Sequence, residues 1–230
     1  MRSGAWAVLI VLIILVALVA WFFWGRGAAG PTASSTPPAA TSSEQTTTTP
    51  QGLSFTLPAA FALATGQEPI MVQSYIPPCD QGYDYCLYKN DDEFAGTNFE
   101  SAGVSITDRG DLGTERLCLD TPPAGYASTI TPDNTVSGDT YSASVFAGLG
   151  NAAAGHSAVD SYYRLYDRSN STCTELDARV AESAYGNYPA GTIEEFTAAD
   201  QAQVESELQS ILNGMTLAPS GTHINWPSTS

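Results

Sequence analysis

The sequence predicts an α+β domain: an antiparallel sheet with a C-terminal helix packed on one face, preceded by one transmembrane helix. Three observations carry this. Short runs of alternating apolar and polar residues recur from Leu53 to Ser183, with turn residues between them. A single segment, Thr197–Gly214, switches to helical spacing. The first 27 residues hold an apolar run longer than a typical secretory signal needs.

Residues 1–27 are expected to form a signal anchor. Ala5–Trp24 (AWAVLIVLIILVALVAWFFW) is uncharged throughout. At 1.5 Å per residue it spans about 30 Å, the hydrocarbon thickness of a bilayer. Trp6, Trp21 and Trp24 suit the two interfaces, and neither a small-residue cleavage site nor a lipidation cysteine follows. Arg2 and the free amine precede the run and Arg26 follows it, which favours a cytoplasmic N-terminus and an extracytoplasmic domain. Residues 28–51 are dominated by Ser, Thr and Pro and read as a disordered tether. Residues 52–218 form the domain and residues 219–230 a polar tail.

Within the domain the expected strands are Leu53–Pro58, Ile70–Ile76, Cys86–Tyr88, Ala102–Thr107, the run TERLCLD (Thr114–Asp120), Thr140–Leu149, Ser161–Asp167 and Cys173–Ser183. The last two flank RSNST, a hairpin turn. Asp91–Ser101 reads as a short helix or a loop. Thr197 and Asp200 form a helix-start signature, followed by Val204, Leu208, Ile211 and Leu212 at helical spacing and by Asn213–Gly214 as a stop. Met215–Leu217 reads as an edge strand.

Charge excludes some partners. The chain has 24 Asp and Glu, 8 Lys and Arg and a net charge of −16. Setting aside Arg2, Arg26 and Glu44 leaves the domain at −17, with Lys89 its only lysine. Nucleic acid and anionic membrane surfaces are repelled. The membrane enters as a partner only through Ala5–Trp24.

Four cysteines, Cys79, Cys86, Cys118 and Cys173, all lie in the domain. None has the close spacing of a zinc or thioredoxin-like pair. Cys79 and Cys86 bracket DQGYDY, whose Asp and Gly residues suit a turn, and a local disulfide there stabilises by roughly 2–3 kcal/mol. If TERLCLD and Cys173–Ser183 are strands, Cys118 and Cys173 both lie off the aliphatic face, which is compatible with a second disulfide between them.

The order of LSFTLPAAFAL, YRLYDRSNSTCTEL, NYPAGTIEEF and ADQAQVESELQSILNGMTL resembles uncharacterised bacterial membrane-anchored secreted domains. The general plan is similar to PsbP/Mog1-type sandwiches, in which helices pack on an antiparallel sheet. The resemblance covers roughly Leu53–Leu217 and implies a fold; it brings no catalytic residues with it.

Hydrolase signatures such as G-x-S-x-G and H-E-x-x-H are missing. His156 lies in a Gly/Ala-rich stretch that reads as a loop. Glu194–Glu195 and Asp91–Asp92–Glu93 are the closest acidic runs, and with Asp80 and Asp84 they do not match a calcium-loop spacing. Asn170-Ser-Thr is a glycosylation sequon. Tyr83, Tyr85 and Tyr88 near the first cysteine pair, with Tyr185 and Tyr188, are the expected recognition surface, because ordered tyrosines give contact area at low entropic cost. No cofactor or metal is implied. The expected function is therefore non-enzymatic binding of a protein or envelope component. The alternatives are an envelope hydrolase using carboxylates or His156, and a purely structural envelope protein.

Overall fold

A computed structural model describes residues 45–66, 70 and 74–229. The expected anchor lies outside them, and no helix among the described residues is long and apolar enough to cross a membrane.

The domain is α+β. Seven antiparallel strands form the main sheet: β3 (Phe61–Thr65), β4 (Tyr85–Lys89), β5 (Phe99–Asp108), β6 (Asn134–Ser137), β7 (Tyr141–Ala153), β8 (His156–Asp167) and β9 (Thr172–Ser183). Their spatial order is β3-β4-β5-β9-β8-β7-β6. A second antiparallel sheet orders β1 (Gln45–Thr48), β2 (Leu53–Leu57), β10 (Thr216–Leu217) and β11 (Thr222–His223) as β1-β2-β10-β11. Helix α1 (Glu115–Asp120) and helix α2 (Ala198–Asn213) lie on opposite faces of the main sheet.

Period-two alternation decides which residues meet α2. Val104 and Ile106 of β5, Tyr163 and Leu165 of β8 and Leu176 and Val180 of β9 share a core with Val204, Leu208, Ile211 and Leu212. Thr197 caps α2 as expected: Asp200 N donates to its hydroxyl at 3.3 Å, and Thr197 N donates to the Asp200 carboxylate at 2.8 Å.

Several expectations are corrected. TERLCLD is a helix, not a strand. Thr114 caps it, accepting from Leu117 N at 3.3 Å, and it buries Cys118 and Leu119 while Leu117 faces solvent. Six residues are too few to separate the two periodicities. Ile70 and Ser74–Ile76 are not strand either; Ile76 N donates to the Glu100 carboxylate at 3.1 Å instead of to a ladder. The tether drawn to Gln51 overruns the fold, because threonine-rich Gln45–Thr48 pairs with β2. Gly52, at φ +87°, turns that hairpin with Ala218 O where a Cβ would sit 3.1 Å away. The polar tail is also structured: Ile224 and Trp226 are buried, and the Trp226 indole donates to Leu212 O at 2.8 Å. His156 opens strand β8 and is not in a loop. Strands β3 and β6 were not expected.

Candidate functional site

Helix α2 does not seal its face of the sheet. Strand β7 changes register between Phe146 and Leu149, with Gly148 at φ +62°. A bulge of this kind bends the strand. A cleft of about 390 Å³ lies between the sheet and α2, within the range of small-ligand sites. Ala147 and Gly148 of β7, Val159, Ser161 and Tyr163 of β8, and Ala178 and Val180 of β9 form its floor. Glu205, Leu208, Gln209 and Leu212 of α2 form one wall, with Asp133 and Thr229 completing the lining. The Tyr163 phenol donates to Gln209 Oε1 at 3.0 Å, and burial pushes its pKa up to about 12. The phenol therefore stays neutral and bonded inward.

The opposite face holds a buried ionic layer. Arg179 is clamped from two sides. Its Nε donates to Asp160 Oδ1 at 2.7 Å, and its two terminal nitrogens donate to Asp80 at 2.6 and 2.9 Å. Asp80 comes from the loop that the Cys79–Cys86 disulfide closes. That disulfide thus sets a carboxylate over a buried guanidinium. Hydrogen bonding from Arg179 lowers the Asp80 pKa against the opposing effect of burial. Asp177 Oδ2 lies 3.4 Å from Arg179, and burial, reinforced by the Asp160 charge, holds the Asp177 carboxyl well above the usual carboxylate range. The Tyr126 phenol donates to Asp160 at 3.3 Å, and burial pushes its pKa up to about 12. Further along the same face Glu175 accepts from Arg109 and touches Arg164. Asp160 and Asp177 do converge as a hydrolase would need, but they are buried beneath this layer and do not line the cleft.

Both disulfides form, Cys79–Cys86 and Cys118–Cys173. The five expected recognition tyrosines are not one surface. Tyr83 is buried with the first disulfide, and Tyr88 packs against that same cluster. Tyr85 points to the other side of β4, edge-on to Phe55 at 6.1 Å. Only Tyr185 and Tyr188 are exposed, at 40% and 39%. Tyr75 is more exposed still, at 63%, and stacks on His156 at 4.1 Å. The His156 Nδ1 contacts the Glu100 carboxylate, so its partner is an acid on β5. Asp91 and Glu93 accept from Lys89 together with Glu207 of α2, which makes these acids a clamp between strand and helix.

Sequence reasoning missed the ionic face. Its signal was present: Asp160, Tyr162 and Arg164 alternate on β8, and Glu175, Asp177 and Arg179 alternate on β9, opposite the aliphatic positions. The cleft had no comparable signal, since it arises from a bulge and a helix position.

No family model matches this chain, and no curated protein matches it.

Proposed function

We propose that this chain is a single-pass, membrane-tethered binding domain, with a cytoplasmic N-terminus and an extracytoplasmic fold that takes its ligand in the α2 cleft. The cleft carries the proposal. It combines an apolar floor on rigid strands with a few polar groups at its margin, the usual composition of a ligand site. Two disulfides with no free cysteine among the described residues support an oxidising compartment. The uncharged Ala5–Trp24 run supports the tether. The antiparallel sheet with a terminal helix is compatible with the PsbP/Mog1-type plan, which adds no activity to the proposal. Binding of a protein or envelope component stands ahead of hydrolysis because the acids with shifted pKa values lie outside the cleft.

Native mass spectrometry of the full chain extracted from its own membranes tests this. The wild type should retain a bound species that is lost from Ala178→Phe and from Ala147→Phe, each of which fills part of the floor. Both variants should keep the wild-type Tm. A wild type that carries nothing, or variants that carry the same species, would sink the proposal.

A further inference from the structure

We infer that the α2 cleft selects an amphipathic organic cation, with an apolar body on the strand floor and an ammonium or amidinium group at Glu205 and Asp133. This rests on the cleft being the ligand site and adds the chemistry of the ligand. The hydrogen-bonding inventory carries it. Most side-chain donors of the cleft are already bonded to protein acceptors. The Tyr163 phenol donates to Gln209 Oε1 at 3.0 Å, and the Gln209 amide nitrogen donates to Asn213 Oδ1 at 3.1 Å. The Thr229 hydroxyl lies beside the same phenol. Ser161, which accepts from Gly148 N at 3.5 Å, keeps a hydroxyl proton to offer, and Gln209 keeps its second amide N–H.

The acceptors are in surplus. Glu205 Oε1 accepts from Gln201 at 2.7 Å and Asp133 Oδ2 accepts from Ala147 N at 2.7 Å, which leaves each carboxylate a second oxygen. No lysine, arginine or histidine among the described residues lines the cleft. An anion entering it would meet two carboxylates and few free donors. A neutral acceptor would gain nothing from those oxygens, which sit on the exposed margin of the cleft. A ligand that brings its own donors and a positive charge satisfies them with charge-assisted hydrogen bonds. The acidic field of the domain draws the same charge toward it. An inorganic cation fits poorly, because Val159, Ala178, Val180, Leu208 and Leu212 give it no oxygen, whereas they suit an apolar body.

The test uses three probes that share one phenylalkyl body: phenethylammonium, phenethyl alcohol and 3-phenylpropionate. Each is titrated into the full chain in zwitterionic nanodiscs, and the methyl NMR signals of Val159, Val180, Leu208 and Leu212 are followed. The ammonium probe should shift these methyls and bind at least about tenfold more tightly than the alcohol, the scale of one charged hydrogen bond. That preference should collapse in Glu205→Gln, whose exposed site leaves the fold intact. The propionate should leave the methyls unmoved. Equal response to alcohol or propionate, or a Glu205→Gln variant with an undiminished preference, overturns the cation assignment while leaving the cleft as a ligand site. Silence from all three probes also overturns it. The cleft itself is then judged by whether the filled-cleft variants lose the co-purified species.

Discussion

Strand β9 presents Leu176, Ala178 and Val180 to the α2 face and Glu175, Asp177 and Arg179 to the other. The first set joins a core of aliphatic and aromatic side chains that needs no partner beyond close packing. The second set is equally hidden, yet two of its members draw counter-charges from elsewhere: Asp80 from a loop and Asp160 from β8 answer Arg179, and Arg109 just past the end of β5 answers Glu175, while Asp177 lies against Arg179 itself. Both disulfides lie on this second face, Cys79–Cys86 beneath the Asp80 loop and Cys118–Cys173 tying α1 to β9. The difference teaches where covalent links are needed. An apolar face tolerates small shifts of its cover. An ionic face buried under loops does not, because a displaced loop strands a charge.

The comparison predicts that Arg179→Met is the most damaging single change. Asp160 and Asp177 would be left as neighbouring buried carboxylates, at a cost of about 3–5 kcal/mol in urea unfolding. Loss of Cys118–Cys173 through paired alanines comes next. The bridge spans 55 residues, so the loop-entropy model gives about 4 kcal/mol, against about 2 kcal/mol for the seven-residue span of Cys79–Cys86. Leu208→Ala, on the packed face, is expected to cost about 3 kcal/mol through lost burial and a cavity. If Leu208→Ala cost more than Arg179→Met, the contrast between the faces would be reversed.

These contrasts mark what could be read from the sequence. Helix α2 was legible through its cap and four apolar positions, and strands β5, β8 and β9 through alternation. The local disulfide was legible from Asp and Gly in its loop. The Cys118–Cys173 pair forms even though Cys118 sits on a helix, because α1 buries Cys118 against β9 much as a strand would have. Charged positions such as Asp177 and Arg179 carry no mark in the sequence that separates a buried ion from a solvated one, the ordinary fate of such residues. Their burial depends on loops from residues 74–84 and 109–126, whose path no periodicity encodes. The threonines of β1 and the residues around Trp226 were read as tether and tail for the same reason: their partners are distant in sequence.

Acidification separates two of the three carboxylates around Arg179, Asp80 and Asp177. Asp80 has a folded pKa below its ordinary 3.8, so its contribution to stability is present above that value and is lost as pH falls through the folded one. Asp177 has a raised folded pKa, so its contribution is complete below 3.8 and is lost as pH rises through the folded value. Urea midpoints at pH 3 and pH 7 should therefore move in opposite senses. Relative to wild type, Asp80→Asn loses more stability at pH 7 than at pH 3, and Asp177→Asn fares better at pH 7 than at pH 3. Parallel changes in the two variants would contradict the placement of both groups.

The smallest expected effect is the sharpest test of the ionic face, because it concerns an arginine as buried as Arg179. Arg164 is 0% exposed, and among the described residues its ion contact is with Glu175 alone. Its Nε and Nη1 make no hydrogen bond among the described residues. Burial lowers its pKa despite the Glu175 charge, and the nearby Arg109 adds to that lowering. Glu175 does not depend on it, since Arg109 offers one nitrogen to both Glu175 oxygens at 3.2 Å. Arg164→Met therefore removes a poorly bonded guanidinium and leaves its partner neutralised. Replacing such a group by an apolar side chain of similar length is close to neutral, within about 1 kcal/mol, or stabilising. Arg179→Met, on the adjoining strand, strands two acids. Equal losses in the two variants would mean that burial alone sets the cost. A gap of about 2 kcal/mol or more in urea unfolding would show that what matters is the carboxylate left behind.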